Sequence, residues 1–295
     1  MEFLTDTAEF VRRCDKEFRN RLYSVADKIA SDKNVKIVSL AGPTCSGKTT
    51  AANMLLKRLA QNNITGHIVS IDDFFFDREE LIKSSLKKGL KKPDYESIDA
   101  IDFVALKIFV EEIFSSTEVH CPVFDFQKGA RVKYKTLKIN DSDIFIFEGI
   151  QSIYPEVARV LEAHGMSSVY IAPLTSLELN GKQFYPNDIR LMRRIVRDYN
   201  FRGSSAEMIL DMWDGVRANE EKNIFPYVDG CVHHIDSTME YELGILAPFL
   251  KTILSTIAKD SPFYERANDI LLGISDVKAI SPSNISEDSL YREFV

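Results

Sequence analysis

Long apolar runs are the first thing this sequence lacks. No stretch of its 295 residues approaches the ~20 consecutive apolar residues that a membrane-spanning helix needs, so no membrane association is expected. Cysteine is scarce. Cys14, Cys45, Cys121 and Cys231 lie far apart and form no CxxC pair, so they read as free thiols of a reducing, cytoplasmic setting rather than as a disulfide or zinc framework. Positive charge is in deficit. The 37 Lys and Arg stand against 44 Asp and Glu, a formal net charge of -7, which argues against a nucleic-acid or membrane-surface binder. The opening "MEFLTDTAEF" has neither the basic region nor the apolar region of a secretory leader. Repeats, low-complexity segments and clear linkers are missing too. What remains is an ordinary globular composition, 45% apolar and 27% charged, enough for one large domain or two small ones.

The pattern within that composition alternates. Phe10, Cys14, Phe18, Leu22, Val25 and Ile29 recur at helical spacing. "VKIVSL" reads as a buried strand, residues 48–60 as a helix, and "HIVSID" as a second strand. Helical stretches are predicted at about 79–91 and 98–114. "CPVFDF" and "ARVKYKTLKI" flank Lys128-Gly129 as a short antiparallel hairpin. "DIFIFEG", "SSVYIAP" and "GCVHHID" read as further strands, and 187–199, 206–219 and part of 239–258 as helices. Strands alternating with helices indicate an α/β fold, a parallel sheet covered on both faces. The segment from Ile274 onward, rich in Ser and Asp, is expected to be loosely held.

One stretch carries explicit chemistry. Gly42-Pro43-Thr44-Cys45-Ser46-Gly47-Lys48-Thr49, followed by Thr50, fits GxxxxGK[ST] between a predicted strand and a predicted helix. Gly42 and Gly47 let the backbone wrap closely, and the amides of such a loop point at anionic oxygens. Lys48 would reach the β- and γ-phosphates of a nucleotide, and the Thr49 hydroxyl would face Mg2+. This makes the chain a P-loop nucleotide binder without specifying a reaction.

Three further features narrow the reaction. "SIDDFFFD" sets Asp72 and Asp73 where the second strand ends, the edge at which open α/β sheets bind ligands. Neighbouring residues there point to opposite sides, so one of the two faces the phosphates. A carboxylate in that place can take a proton from an attacking hydroxyl and can touch Mg2+. Glu148 ends the apolar strand "DIFIFE" in the manner of a Walker-B acid, a partner of metal or metal-bound water. Finally, "NDIRLMRRIVRDYNFRG" holds Arg190, Arg193, Arg194, Arg197 and Arg202 and no lysine. Guanidinium forks suit bidentate phosphate contacts, so this segment reads as a lid over a polyphosphate rather than a solvated face.

Taken in order, "GPTCSGKTT", "SIDDFF", "PDYESIDAID", "CPVFDFQKGAR", "IFIFEGI", "RLMRRIVRD", "RG" and the aspartate of "YVDG" resemble the uridine kinase/phosphoribulokinase family of P-loop kinases, closest to its uridine kinase branch. The resemblance runs from about Val35 to Leu246. It implies a P-loop NTPase fold with a five-stranded parallel sheet, a β-hairpin over the acceptor site and an arginine-rich lid at about 180–205. Residues 1–34 would then be a helical extension, 35–246 the kinase domain, and 247–295 a C-terminal helical extension and tail. The implied activity is ATP-dependent transfer of the γ-phosphate, with Mg2+, to a sugar hydroxyl of a small-molecule acceptor.

Residue by residue, the resemblance makes Asp72 the catalytic aspartate and Glu148 the acid near Mg2+. Glu96 aligns with the residue that holds the ribose hydroxyls. Tyr95, Phe124 and Phe126 align with aromatics around the nucleoside, and Phe75 stands where a tyrosine is usual. Arg194, Arg197 and Arg202 match lid arginines. Gly129 replaces the histidine that reads the pyrimidine edge, and Ser204 follows "RG" where many members carry another arginine. The phosphate-transfer apparatus is thus complete while the base-reading apparatus is not. Uridine and cytidine lead as acceptors, another sugar or small alcohol follows, and a non-catalytic nucleotide switch comes last, because no NKxD element is present. Neither donor base nor oligomeric state is fixed by the sequence; a homo-oligomer is compatible with it.

Overall fold

In a computed structural model, which describes residues 7–87, 89, 97–179 and 181–295, the alternation of strand and helix closes into one central sheet. In chain order its elements are α1 (Thr7–Ser31), β1 (Ile37–Ala41), α2 (Lys48–Gln61), β2 (Gly66–Ser70), α3 (Arg78–Lys87), α4 (Phe103–Glu112), β3 (Glu118–Asp125), β4 (Ala130–Lys138), β5 (Ile144–Glu148), α5 (Pro155–Glu162) and β6 (Met166–Ala172). After these come β7 (Leu177–Leu179), β8 (Lys182–Phe184), α6 (Pro186–Arg202), α7 (Ala206–Asn223), α8 (Phe225–Val228), β9 (His233–Asp236), α9 (Glu242–Leu254) and α10 (Tyr264–Gly273).

The sheet runs β2-β5-β1-β6-β9, with every neighbour parallel. β1 lies in the middle and is buried along its whole length. Each central strand sends alternate side chains to opposite faces, as the pleat requires. Val38, Leu40, Ile144, Ile146, Val169 and Ile171 pack into the core shared with α1, α2, α6, α7 and α9. Ile37, Ala41, Phe145, Phe147, Tyr170 and Ala172 pack into a second core with α4, α5 and the β3–β4 hairpin. Strands with both faces covered read as continuous apolar runs, which is how "IVSLA" and "IFIFE" appear in the sequence.

β3 and β4 form the expected antiparallel hairpin, with a register shift between Val123 and Phe124. Its turn holds Gly129 at φ +67°, a left-handed conformation that a side chain disfavours.

One expectation is corrected. The Ser- and Asp-rich segment after Ile274 is not loosely held: Leu290, Tyr291 and Phe294 are fully buried in the core that α1 and α2 share. The apolar residues spaced through the polar segment anchor it. Residues 246 and 247 lie inside α9, and α1 and α9 pack into the same core on one face of the sheet. Ile189, Met192, Ile195 and Val196 of α6 are fully buried, and so are Arg190 and Arg193 on its other side.

Candidate active site

The phosphate loop connects the carboxyl end of β1 to α2. Gly42 lies so close to the next strand that a Cβ would stand 2.2 Å from the Ile171 carbonyl oxygen. Gly47 caps α2 at φ +91°, where L side chains are strained. Cys45 also adopts a positive φ of 58° and is buried. That strain is held from behind: Arg190 Nη1 donates to the Thr44 carbonyl at 3.4 Å, and Arg193 Nη1 donates to the Cys45 carbonyl at 3.3 Å. The Ser46 hydroxyl is buried without a hydrogen-bond partner among the described residues. Lys48 Nζ donates back to the Pro43 carbonyl at 3.1 Å. Thr49 is exposed and Thr50 half-buried at the first turn of α2.

Around the loop stand the carboxylates. Asp72 and Asp73 occupy a short 3-10 turn, Ile71–Phe74, just past β2 rather than the strand end itself. They diverge there. The Asp73 carboxylate accepts a hydrogen bond from the Phe124 amide at 2.9 Å and so fastens the hairpin. Asp72 faces the loop. Burial pushes its carboxyl up to about 7, Glu148 adds to the rise, and Lys48 opposes it. Glu148 is likewise raised, by burial first, with Lys48 and a hydrogen bond from Ser70 Oγ at 3.3 Å opposing. Burial draws the Lys48 ammonium down while Glu148, Glu293 and Asp72 hold it up. Two carboxylates that repel each other over one lysine are the surroundings a cation would relieve. No group of three His, Cys, Asp or Glu suited to a metal occurs among the described residues. Asp72 and Glu148, with Thr49 at the start of α2, are the residues that could hold Mg2+ shared with the phosphates of a nucleotide, the way that ion is commonly held.

The arginines divide into two sets. Arg190 and Arg193 are structural. Arg190 forks onto Glu220 at 2.5 and 2.6 Å, and Arg193 forks onto Glu242 at 2.8 and 3.2 Å. These pairs let a helix of such charge be buried. Arg194, Arg197 and Arg202 converge instead on the single buried Asp198, at 3.3, 2.8 and 3.4 Å. Three guanidiniums on one carboxylate leave a positive surplus, the electrostatic condition for holding an anion. The buttressing role of Arg190 and Arg193 was not legible in sequence. Its signal was the acids at Glu220 and Glu242, distant in the chain.

Soon after Asp72 in the chain, Phe75 begins an aromatic group. Phe75, Phe124 and Phe126 meet edge to face, with centroids 5.2 to 6.2 Å apart. Phe75 and Phe124 are buried, while Phe126 is half exposed. The position expected to read a base is filled by a neighbour: a Cβ on Gly129 would stand 2.6 Å from Arg78 Nε. Arg78 is fixed over the turn, its amide donating to the Gly129 carbonyl at 2.7 Å and its Nη2 to the Phe126 carbonyl at 2.5 Å. Tyr95 and Glu96 lie outside the described residues.

A family model for the phosphoribulokinase / uridine kinase family matches residues 37–240. The uridine kinase of Ureaplasma urealyticum serovar 10 is 28% identical over 181 residues, which span 61% of this chain and 77% of that protein. The uridine-cytidine kinase 2-B of Danio rerio is 28% identical over 184 residues, spanning 60% of this chain and 63% of that one. Among solved structures, the YGR205w protein superposes with a TM-score of 0.51 at 15% identity, over 77% of this chain and 90% of that one, a likeness of fold alone. The match over residues 37–240 takes in the loop, both carboxylates and the arginine helix together, and the chain belongs to the phosphoribulokinase / uridine kinase family.

Proposed function

We propose that this protein transfers the γ-phosphate of ATP to the 5′-hydroxyl of a nucleoside, uridine or cytidine first. The observation that carries the reading is Asp72: it is buried beside Glu148 and the phosphate-loop lysine, and burial pushes its carboxyl up to about 7. A base poised there can take the acceptor's proton as the hydroxyl attacks. Lys48 steadies the charge on the transferring group, and Arg194, Arg197 and Arg202 supply positive field from α6. Mg2+, resting on Thr49 and the two carboxylates, would neutralise charge on the phosphate oxygens. Phe126, with Phe75 and Phe124 behind it, offers the apolar face on which a base stacks. Glu96 takes the ribose hydroxyls in this reading, by its resemblance to the family's ribose-holding acid.

A second reading, phosphorylation of another sugar or small alcohol, is favoured by one observation: Arg78 fills the space at Gly129, so residue 129 itself carries no side chain to read a base. ADP release measured over nucleosides, sugars and sugar phosphates, with product mass confirmed, separates the two. Uridine and cytidine are expected to turn over with similar kcat/KM. Deoxyuridine is expected to fall about 10- to 100-fold, because one oxygen of Glu96 loses its partner. Turnover only of a non-nucleoside would replace the first reading with the second.

A further inference from the structure

The segment Ser286–Val295 lies against the phosphate loop. Leu290 sits directly on Gly47: a Cβ there would be 1.9 Å from Leu290 Cδ1. Three anchors hold the segment. Asp15 of α1 accepts hydrogen bonds from Ser286 Oγ at 3.2 Å and Ser289 Oγ at 2.9 Å. Asp288 pairs with Arg19 at 3.2 Å. Tyr291 donates to Glu242, the same carboxylate that Arg193 grips.

Just past these anchors, before the buried Phe294, the segment delivers one charge to the catalytic side. Glu293 reaches Arg197 Nη1 at 3.8 Å. Its other oxygen, Oε2, is buried with no hydrogen-bond partner among the described residues. Its field acts on Lys48 second only to that of Glu148 among the carboxylates. An acidic group therefore stands among the lysine and the arginine that a nucleotide's terminal phosphates would use. One oxygen is held by a single long ion pair and the other is unsatisfied, which is a poor resting place for a carboxylate.

We propose that Glu293 is a built-in stand-in for the terminal phosphates of the nucleotide, a tethered competitor that must swing away before a triphosphate binds. The inference rests on the reading of residues 42–49 as a phosphate loop and is independent of the acceptor. Fixed on both sides, Glu293 presents a high effective concentration to Arg197 and Lys48. A triphosphate brings several charges against one, so it displaces the carboxylate at the expense of apparent affinity. If the closed arrangement holds about nine molecules in ten, that affinity is lowered about tenfold.

The test is equilibrium binding of ATP, ADP and AMP, without acceptor, to the full chain and to Glu293→Gln. The near-isosteric change keeps the turn, which unliganded melting of both proteins checks. The expected result is ATP binding about three- to tenfold tighter in the variant, a smaller gain for ADP and none for AMP. Equal or weaker ATP binding by Glu293→Gln would overturn the proposal and make Glu293 a structural partner of Arg197 or a nucleotide ligand. A gain of the same size for AMP would overturn it too, since the competition would not be with terminal phosphates. Absence of ATP binding in both proteins would remove the phosphate-loop reading itself, and the proposal with it. A missing nucleoside kinase activity would touch neither.

Discussion

Asp72 joins function and stability in one side chain. Its folded value of about 7 lies above the ordinary 3.8 because burial and the Glu148 charge both disfavour the ionised form. A base must be ionised to accept a proton, so kcat/KM of the free enzyme is expected to rise with pH and level off above about 7. The same shift acts on folding in the opposite sense. The native state holds the proton more tightly than the unfolded chain, so the contribution to stability is full below the ordinary carboxylate range and is lost as pH rises through about 7. Asp72→Asn is thus expected to lower kcat by about 10²- to 10⁴-fold. It should also raise the melting temperature at pH 8, with the gain vanishing towards pH 4. Melting curves at the two pH values, alongside steady-state kinetics, check both halves. Asp73→Asn should cut kcat less, because that carboxylate serves the Phe124 amide. Equal losses in kcat would undo the division of labour between the two.

At the scale of elements, α6 and the hairpin each separate a structural role from a chemical one. Arg193→Ala would strand Glu242 inside the core, so a loss of about 3–5 kcal/mol is expected in denaturant unfolding. Arg194 is the less buried of the two, and its partner Asp198 keeps Arg197 and Arg202 when Arg194 is removed; Arg194→Ala should leave stability within about 1 kcal/mol while lowering kcat. Similar destabilisation by both changes would show that the whole helix is scaffold. On the hairpin, Gly129→His alone should fail to install a base reader. The backbone is left-handed there and Arg78 occupies the space. The variant should therefore lose about 1–3 kcal/mol, and its preference between uridine and cytidine should stay unchanged.

These elements also show what the sequence made legible. β1, α2 and β5 could be read because buried parallel strands leave unbroken apolar runs and the phosphate loop has a fixed spacing. The position of Asp72 was readable for the same reason, since it follows a strand that must end at the ligand edge. The arginine helix was legible as a helix but not as a buried one. Its burial depends on Glu220 and Glu242, each more than a helix away in the chain, and nothing local in "RLMRRIVRD" announces them. The fate of Gly129 was hidden in the same way, because Arg78 reaches it from another element.

At the scale of the whole molecule, the two ends of the described chain act as a clasp around the phosphate loop. Asp15 is the knot. Buried on α1, it accepts hydrogen bonds from Tyr241 Oη at 2.6 Å, Ser289 Oγ at 2.9 Å and Ser286 Oγ at 3.2 Å. One side chain thereby ties α1, the start of α9 and the segment that carries Leu290 onto Gly47. Asp15→Asn can keep only part of this set, since the amide presents one acceptor oxygen where the carboxylate presents two. Asp15→Ala removes this acceptor altogether; Ser286 Oγ keeps Asp288 at 2.9 Å and Tyr241 Oη keeps Ser289 Oγ at 3.1 Å, so about one buried hydroxyl is left unpaired, at about 1–3 kcal/mol. The order of stability expected in urea is therefore native, then Asn, then Ala. The loss should reach the loop as well, because Leu290 is the apolar contact at Gly47. Hydrogen exchange of the amides at 45–49, measured without nucleotide, should quicken in Asp15→Ala relative to the native protein. Exchange that quickens only in 286–295 would mean that the clasp holds the chain ends together without bracing the loop.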